Sequence, residues 1–189
     1  MKTNLVLASQ SPRRKELLAT LGIPFTVMPS QIDEIPEHGE LPEAFVIRIA
    51  RDKGIEVASR VKQSVVLSAD TIVTIDQEIL GKPLDKEDAL GMLRKLSGRC
   101  HFVYTAVCLI NQPKGETLEG VEKTSVWFDP LTDEQILDYI QREDVMDKAG
   151  AYAIQGYAGV YIPRIEGNYF NVMGLPLPLV HKLLCRTLS

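Results

Sequence analysis

The residues able to do chemistry announce themselves as charges in unfavourable places. Asp70 stands in the middle of Val65-Val66-Leu67-Ser68-Ala69-Asp70-Thr71-Ile72-Val73-Thr74-Ile75, the strongest strand pattern in the chain. A carboxylate buried there without a partner is costly, so Asp70 has to be hydrogen-bonded, ion-paired, metal-bound or set at a cleft. A structural buried aspartate is the alternative to a functional one. The second feature is Asn4-Leu5-Val6-Leu7-Ala8-Ser9-Gln10-Ser11-Pro12-Arg13-Arg14-Lys15, which reads as a short strand, a polar turn and the first turn of a helix. A helix N-terminus carries roughly half a positive charge, and a cation there is disfavoured by about 0.3–1 kcal/mol. Arg13, Arg14 and Lys15 crowd into that turn, with Arg14 where a capping box would place Glu or Gln. Cations added to free N–H groups make sense where an anion binds, so the turn reads as a phosphate cradle; a solvated basic turn is the alternative. Arg13 and Arg14 lie one turn before Leu17 and Leu18 and share their sheet-facing side, whereas Lys15 points to solvent.

Lys53 is the third feature. It interrupts the i, i+4 stripe Phe45, Ile49, Lys53, Val57 of a helix over 42–60. Either its stem packs while the ammonium reaches water, or it points into a polar cleft. Asp33-Glu34 lie in a Pro-punctuated loop, and Lys82 lies in Gly81-Lys82-Pro83, which lacks the glycine spacing and following Ser or Thr of a Walker A loop.

The elements that must position these residues follow from period and punctuation. Ser11 is a favoured N-cap and Pro12 suits the first helical position. Leu17, Leu18 and Leu21 form the buried stripe of this first helix, and Gly22 closes it. A strand is predicted over 25–28, a helix over 85–96, and two long strands over 100–110 and 117–128 joined by a hairpin-like turn. Thr132-Asp133-Glu134-Gln135 is a capping box for a helix reaching Arg142. The stretch 147–156 is rich in small residues and has no regular period; Lys148 and Gln155 there could read a ligand's edge. Residues 160–162 and 169–172 are predicted as strands, and 178–188 as a closing helix.

Composition narrows the function classes. The chain has 189 residues, 45% hydrophobic and 24% charged, enough for one domain with an adequate core. A net charge of −4 gives no global attraction to nucleic acid or anionic membrane, so a polyanionic ligand needs local cations, a metal ion, or both. No apolar run reaches a membrane span and no signal peptide opens the sequence, so cytoplasmic residence is expected. The three cysteines, Cys100, Cys108 and Cys185, lack metal-ligand spacing and read as small core residues of a reducing compartment. His38, His101 and His181 show neither metal nor triad spacing.

Taken together, Ser9-Gln10-Ser11-Pro12-Arg13-Arg14, Ser68-Ala69-Asp70-Thr71, Gly81-Lys82-Pro83, Asp147-Lys148-Ala149-Gly150-Ala151-Tyr152 and Gly174-Leu175-Pro176 resemble the Maf (septum-formation inhibitor) family, in order and over nearly the whole chain. The resemblance implies a single Maf-like domain over 1–189. Its fold would be an elongated mixed α/β structure similar to the inosine triphosphate pyrophosphatases, with two lobes around a central cleft. It also implies a nucleoside triphosphate pyrophosphatase that needs Mg²⁺ or Mn²⁺ and cleaves between the α and β phosphates. By this resemblance Asp70 is the general base or a metal ligand, with Glu34 in the metal region. Arg13, Lys53 and Lys82 lie on the phosphate side, and Ser9, Ser11 and Arg14 are further substrate contacts. Arg13, Thr71 and Gln155 match the subgroup acting on dTTP and UTP; the 7-methyl-GTP subgroup usually has Gln in place of Thr71. Gly54 departs from the Ala common after Lys53, which bears on helix stability. A homodimer is a family expectation. Two rival readings stand beside this one: a nucleotide-binding regulator of cell division acting through a protein partner, and a house-cleaning enzyme for modified pyrimidine triphosphates.

Overall fold

The computed structural model describes residues 4–188, and its central element is a strand buried along almost its whole length. In chain order the elements are β1 (Asn4–Leu7), α1 (Pro12–Ala19), β2 (Phe25–Val27), α2 (Pro42–Arg60), β3 (Ser64–Ile75), β4 (Glu78–Leu80), α3 (Lys86–Leu96), β5 (Cys100–Asn111), β6 (Glu116–Trp127), α4 (Asp133–Arg142), β7 (Arg164–Glu166), α5 (Tyr169–Val172) and α6 (Leu177–Leu188). The strands form one mixed seven-stranded sheet in the order β2-β1-β3-β5-β6-β7, with β4 paired to β3 off this path. The sheet is thus mixed α/β as expected. β3 reads as a continuous apolar run because both of its faces are covered.

One edge of β3 is paired with antiparallel β5 from Val65 to Thr74. The other edge is shared: parallel β1 takes Ser64–Leu67, and antiparallel β4 takes Val73–Ile75. Helix α2 covers one face, packing Phe45, Val46, Ile49 and Ala50 against Ile72, Ala106 and Cys108. On the opposite face Leu17 and Leu18 of α1 and Leu183 and Leu184 of α6 pack on Val65, Leu67 and Ala69. Further along that face, Ala89 and Leu93 of α3 and Ile136 and Ile140 of α4 pack on Val73, Val103 and Val126. Two apolar clusters therefore lie side by side along β3, which gives the two lobes.

Several expectations are corrected. Residues 160–162 are not a strand: Tyr157–Tyr161 is a 3-10 turn, entered where the Gly159 N–H donates to the Gly156 carbonyl. Residues 169–172 are the short helix α5, capped by Asn168, whose Oδ1 accepts from the Asn171 N–H at 3.1 Å. In both runs aromatic and β-branched content suggests a strand, but neighbouring turn chemistry decides the backbone. The strand in this region is instead β7, a three-residue charged edge on β6 with no apolar alternation to reveal it. Of the cysteines only Cys108 is buried; Cys100 is partly exposed and Cys185 is exposed. Gly54 matters for packing as well as for helix propensity, since a Cβ there would lie 2.7 Å from Ser68 Oγ. Among the described residues no helix is long and apolar enough to cross a membrane.

His101 is fully buried against Phe128 and Tyr152, with Nε2 2.7 Å from the Tyr152 hydroxyl and Nδ1 without a partner. Burial pushes its pKa down to about 4. Unfolded, the imidazole takes its proton near pH 6.5; folded, it does so only near 4. Stability is therefore undiminished by this group above 6.5 and falls as the pH drops towards 4, by about 3 kcal/mol in all. A plot of thermal midpoint against pH between 6.5 and 4 should be shallower for His101→Gln than for the wild type; identical slopes would show that His101 is not the group responsible.

Candidate active site

The division of one β3 edge between β1 and β4 creates the site. The Ala8 N–H donates to Leu67 O at 2.8 Å, the last bond from the β1 segment, and β4 pairing starts at Val73. Between them, among the described residues, no strand pairs with 68–72 on this edge, and a cleft of about 840 Å³ opens along this stretch of β3. That volume suits a small polar ligand with an aromatic part. Because side chains alternate along a strand, Asp70 and Thr71 serve opposite faces of the same exposed stretch. Asp70 faces α2 and Thr71 faces α1.

On the α2 side Lys53, from its stripe position, points into the cleft. Its ammonium lies 2.7 Å from Asp70 Oδ1 and 2.6 Å from Glu34 Oε1, an ion triad with Lys53 and Asp70 buried and Glu34 partly exposed. Burial pushes the Asp70 pKa up; Lys53 pulls it back, and the like charge of Glu34 adds to the rise. For Glu34 burial also works upwards, but Lys53, Lys82 and Arg14 outweigh it and hold the carboxyl below its ordinary value. Glu34 reaches this position from the strandless loop 28–41. Arg48 of α2 clamps that loop, bonding Glu40 at 2.6 and 2.7 Å and the Ile35 carbonyl at 3.1 Å.

On the α1 side Arg14 forms the cleft floor. Its Nε donates to Gly174 O at 2.8 Å, Nη1 to Ala69 O at 2.8 Å and to Ser9 Oγ at 3.4 Å, and Nη2 to Thr71 Oγ1 at 2.9 Å. Four of its five N–H groups are engaged within the protein, leaving one for a ligand. Burial lowers its pKa, while Asp70 and Glu34 act in the opposite sense. Ser11 is the N-cap, accepting the Arg14 N–H at a long 3.5 Å, and Ser9 Oγ accepts the Ser11 N–H at 3.2 Å. The excess charge of this first turn is thus divided: Arg14 ties α1 to β3 and to the 173–175 turn, Arg13 lines the cleft, and Lys15 is exposed. Losing Arg14 leaves Ala69 O and Gly174 O without their partner at the sheet edge. Arg14→Met is expected to cost roughly 3 kcal/mol; urea unfolding within 0.5 kcal/mol of wild type would refute this structural role.

Arg13 and Lys82 line the cleft from its two sides, and the Gly150 N–H donates to Gly81 O at 3.0 Å, joining the loop of Lys82 to the 147–156 stretch. Gln155 also lines the cleft. Asp147, within that stretch, lies 3.8 Å from Arg13 across the opening and pairs with its neighbour Lys148. In the sequence Asp147 stands out only as part of the 147–152 run, with no role of its own; its approach to Arg13 is set by the fold. All the site residues expected from sequence (Ser9, Ser11, Arg13, Arg14, Glu34, Lys53, Asp70, Thr71, Lys82 and Gln155) line this one cleft.

The charge balance bears on a metal. Arg13, Arg14, Lys53, Lys82 and Lys148 face Asp33, Glu34, Asp70 and Asp147, so the lining alone leaves little net positive charge for a polyanion. Among the described residues no three His, Cys, Asp or Glu side chains gather to hold a cation by themselves. Glu34 and Asp70, which the Lys53 ammonium bridges here, match in number and type the one or two carboxylates by which Mg²⁺ is held, with substrate phosphate oxygens completing its shell.

The family model described as Maf-like protein matches residues 4–187. A dTTP/UTP pyrophosphatase of Geobacter metallireducens is 49% identical over 175 residues, which are 93% of this chain and 91% of that protein. Another, of Syntrophomonas wolfei, is 46% identical over 95% of each chain. A third, of Caldanaerobacter subterraneus, is 44% identical over 96% of this chain and 88% of its own. A solved Staphylococcus aureus Ham1 structure aligns over 67% of this chain and 72% of its own, at 14% identity and a TM-score of 0.46, too partial a likeness to extend the comparison. By the extent of the family match and the identity of these relatives, the chain belongs to the Maf-like protein family.

Proposed function

We propose that this protein is a nucleoside triphosphate pyrophosphatase that hydrolyses dTTP and UTP to the monophosphate and pyrophosphate with a divalent cation, Mg²⁺ or Mn²⁺. The observation that carries the reading is the Glu34–Lys53–Asp70 triad, at 2.6 and 2.7 Å, set in a cleft whose other walls carry Arg13 and Lys82. The names of the relatives, dTTP/UTP pyrophosphatases matched over nine-tenths of this chain, supply the substrate class. A pure nucleotide binder has less need of buried carboxylates facing a polyanion, and nothing in the cleft favours the regulator reading.

Glu34 and Asp70 would hold the cation, which when bound supplies charge neutralisation for the triphosphate and the leaving pyrophosphate. Asp70 takes the proton of the attacking water or serves as ligand to the cation; its raised pKa favours proton acceptance over that of an ordinary surface aspartate. Lys53 holds both carboxylates in register and opposes their repulsion. Arg13 and Lys82 stabilise negative charge on phosphate oxygens, with Ser9 and Ser11 as hydroxyl contacts and the remaining Arg14 N–H as a further donor. Thr71 and Gln155, with Arg13, select the pyrimidine. Modified pyrimidine triphosphates fall within the same class, and kcat/KM across canonical and modified nucleotides ranks them. EDTA in excess should stop turnover, with Mg²⁺ or Mn²⁺ restoring it; undiminished turnover in EDTA would remove the cation from the scheme.

A further inference from the structure

The loop that brings Glu34 to Lys53 has no strand or helix of its own, and within 31–40 every residue but Ile32 and Glu40 is exposed. Those two residues are its attachments. Ile32 packs against the cluster of Phe45, Ile49 and Ile72. The Glu40 side chain is only 10% exposed, and its carboxylate accepts from Arg48 Nε at 2.7 Å and from Nη2 at 2.6 Å. Such a two-point pairing fixes orientation as well as distance. Glu40 Oε2 also accepts the Glu37 N–H at 3.0 Å, and the Glu40 N–H donates to the Glu37 carbonyl at 3.1 Å. The turn 37–40 is thus closed on itself, through a Gly39 whose φ of +74° favours glycine. The same Arg48 Nη2 donates to the Ile35 carbonyl, directly after Glu34, at 3.1 Å. Lys53 therefore holds the Glu34 side chain while Arg48 holds the backbone beside it, and both cations stand on α2.

We infer that Arg48 is a positioning residue for the reaction: through Ile35 and Glu40 it keeps the 31–40 backbone where Glu34 meets Lys53. Neither Arg48 nor Glu40 lines the cleft, so Arg48 acts through Glu34. The contact of Glu34 with Lys53 fixes one carboxylate but no backbone, and Glu34 is partly exposed. Ordering a loop needs more than that, because each residue loses conformational freedom when it is fixed. A plain surface ion pair between Arg48 and Glu40 would behave differently, adding a little stability and nothing to turnover. The inference rests on the proposed pyrophosphatase activity, with Glu34 taking part in it, and adds the group that preorganises Glu34.

Arg48→Met removes the guanidinium fork and keeps an apolar stem beside Phe45, over whose ring Arg48 lies. In the folded variant kcat for pyrophosphate release from dTTP should fall about tenfold with KM within about twofold of wild type, because a misplaced carboxylate is felt most in the transition state. Glu40→Ala opens the same clamp from the loop side, should give the same split, and decides the matter if Arg48→Met folds poorly. Asp52→Asn is the control: Asp52 pairs with Arg48 Nη1 at 3.6 Å from within α2, and its loss should leave kcat within about twofold of wild type. A readout independent of turnover is cleavage by a glutamate-specific protease at Glu34, Glu37 and Glu40, expected to be about tenfold faster in Arg48→Met well below its melting temperature. In a Glu34→Gln background, Arg48→Met should lower kcat no further. An independent second loss there, unchanged kcat in the folded clamp variants, or loop cleavage at the wild-type rate would overturn the inference. So would an equal fall of kcat in Asp52→Asn, which would trace the effect to charge rather than to the clamp. Wild-type turnover in Glu34→Gln alone would instead remove Glu34 from the scheme, a failure of the proposed function distinct from that of Arg48.

Discussion

Asp70→Asn should lower kcat for pyrophosphate release from dTTP by about 10³-fold while leaving the protein folded. The amide keeps the shape of the carboxylate and still offers an oxygen to Lys53 Nζ, which lies 2.7 Å from Asp70 Oδ1 in the wild type. It cannot accept a proton from water at neutral pH, and it is a poor ligand for a hard cation. The fold should tolerate the change because burial already disfavours the charged form of Asp70. A carboxyl whose pKa is raised by folding costs the fold stability at neutral pH, a common feature of sites where chemistry needs a displaced pKa. Steady-state kinetics with a thermal melt separate the two effects. Turnover near the wild-type value would remove Asp70 from the mechanism, whichever of its two roles is assumed.

Lys53→Met has the second-largest expected effect, and its direction in stability is opposite. Removing the buried ammonium leaves Glu34 and Asp70 facing each other without a cation. Breaking a buried pair by deleting one partner costs about 3–5 kcal/mol, unless the orphaned carboxyl takes up a proton. The protein should therefore melt at markedly lower temperature at neutral pH and recover part of the loss at lower pH, where one carboxyl is neutral. Catalysis should fall by about 10²-fold or more in kcat/KM, because two carboxylates lose the group that fixes their separation. Lys53→Arg keeps the charge and should recover more stability than activity, since a guanidinium does not place its charge at the same point. A Lys53→Met melt matching wild type would show that the ammonium does not hold the triad together.

Much of the site was legible because its residues violate the pattern of a single element. Asp70 breaks an apolar strand, Lys53 breaks an i, i+4 stripe, and Arg13 and Arg14 contradict the charge preference of a helix start. Each violation can be read within a dozen residues. What stayed hidden depends on contacts between distant segments. Glu34 sits in an aperiodic loop, and its approach to Lys53 depends on the Arg48 clamp on Glu40 and Ile35. Arg14 looked like an anion ligand of the same kind as Arg13, yet most of its N–H groups close the sheet edge. The errors at 160–162 and 169–172 share a cause: short runs without period, whose backbone is set by capping and turn bonds to neighbours such as Asn168 and Gly156.

The gap on the β3 edge between β1 and β4 is the structural fact from which the rest follows, since it opens one cleft onto Asp70 and Thr71, which lie on opposite faces of the strand. Product analysis tests what that cleft does. Wild-type protein is incubated with Mg²⁺ and, separately, dTTP, UTP, CTP and dGTP, and the phosphorus-containing products are identified. Monophosphate and pyrophosphate in equal amounts, formed fastest from dTTP and UTP and absent with Asp70→Asn, are the predicted result. Release of orthophosphate with a nucleoside diphosphate, or no turnover of any of the four, would contradict it.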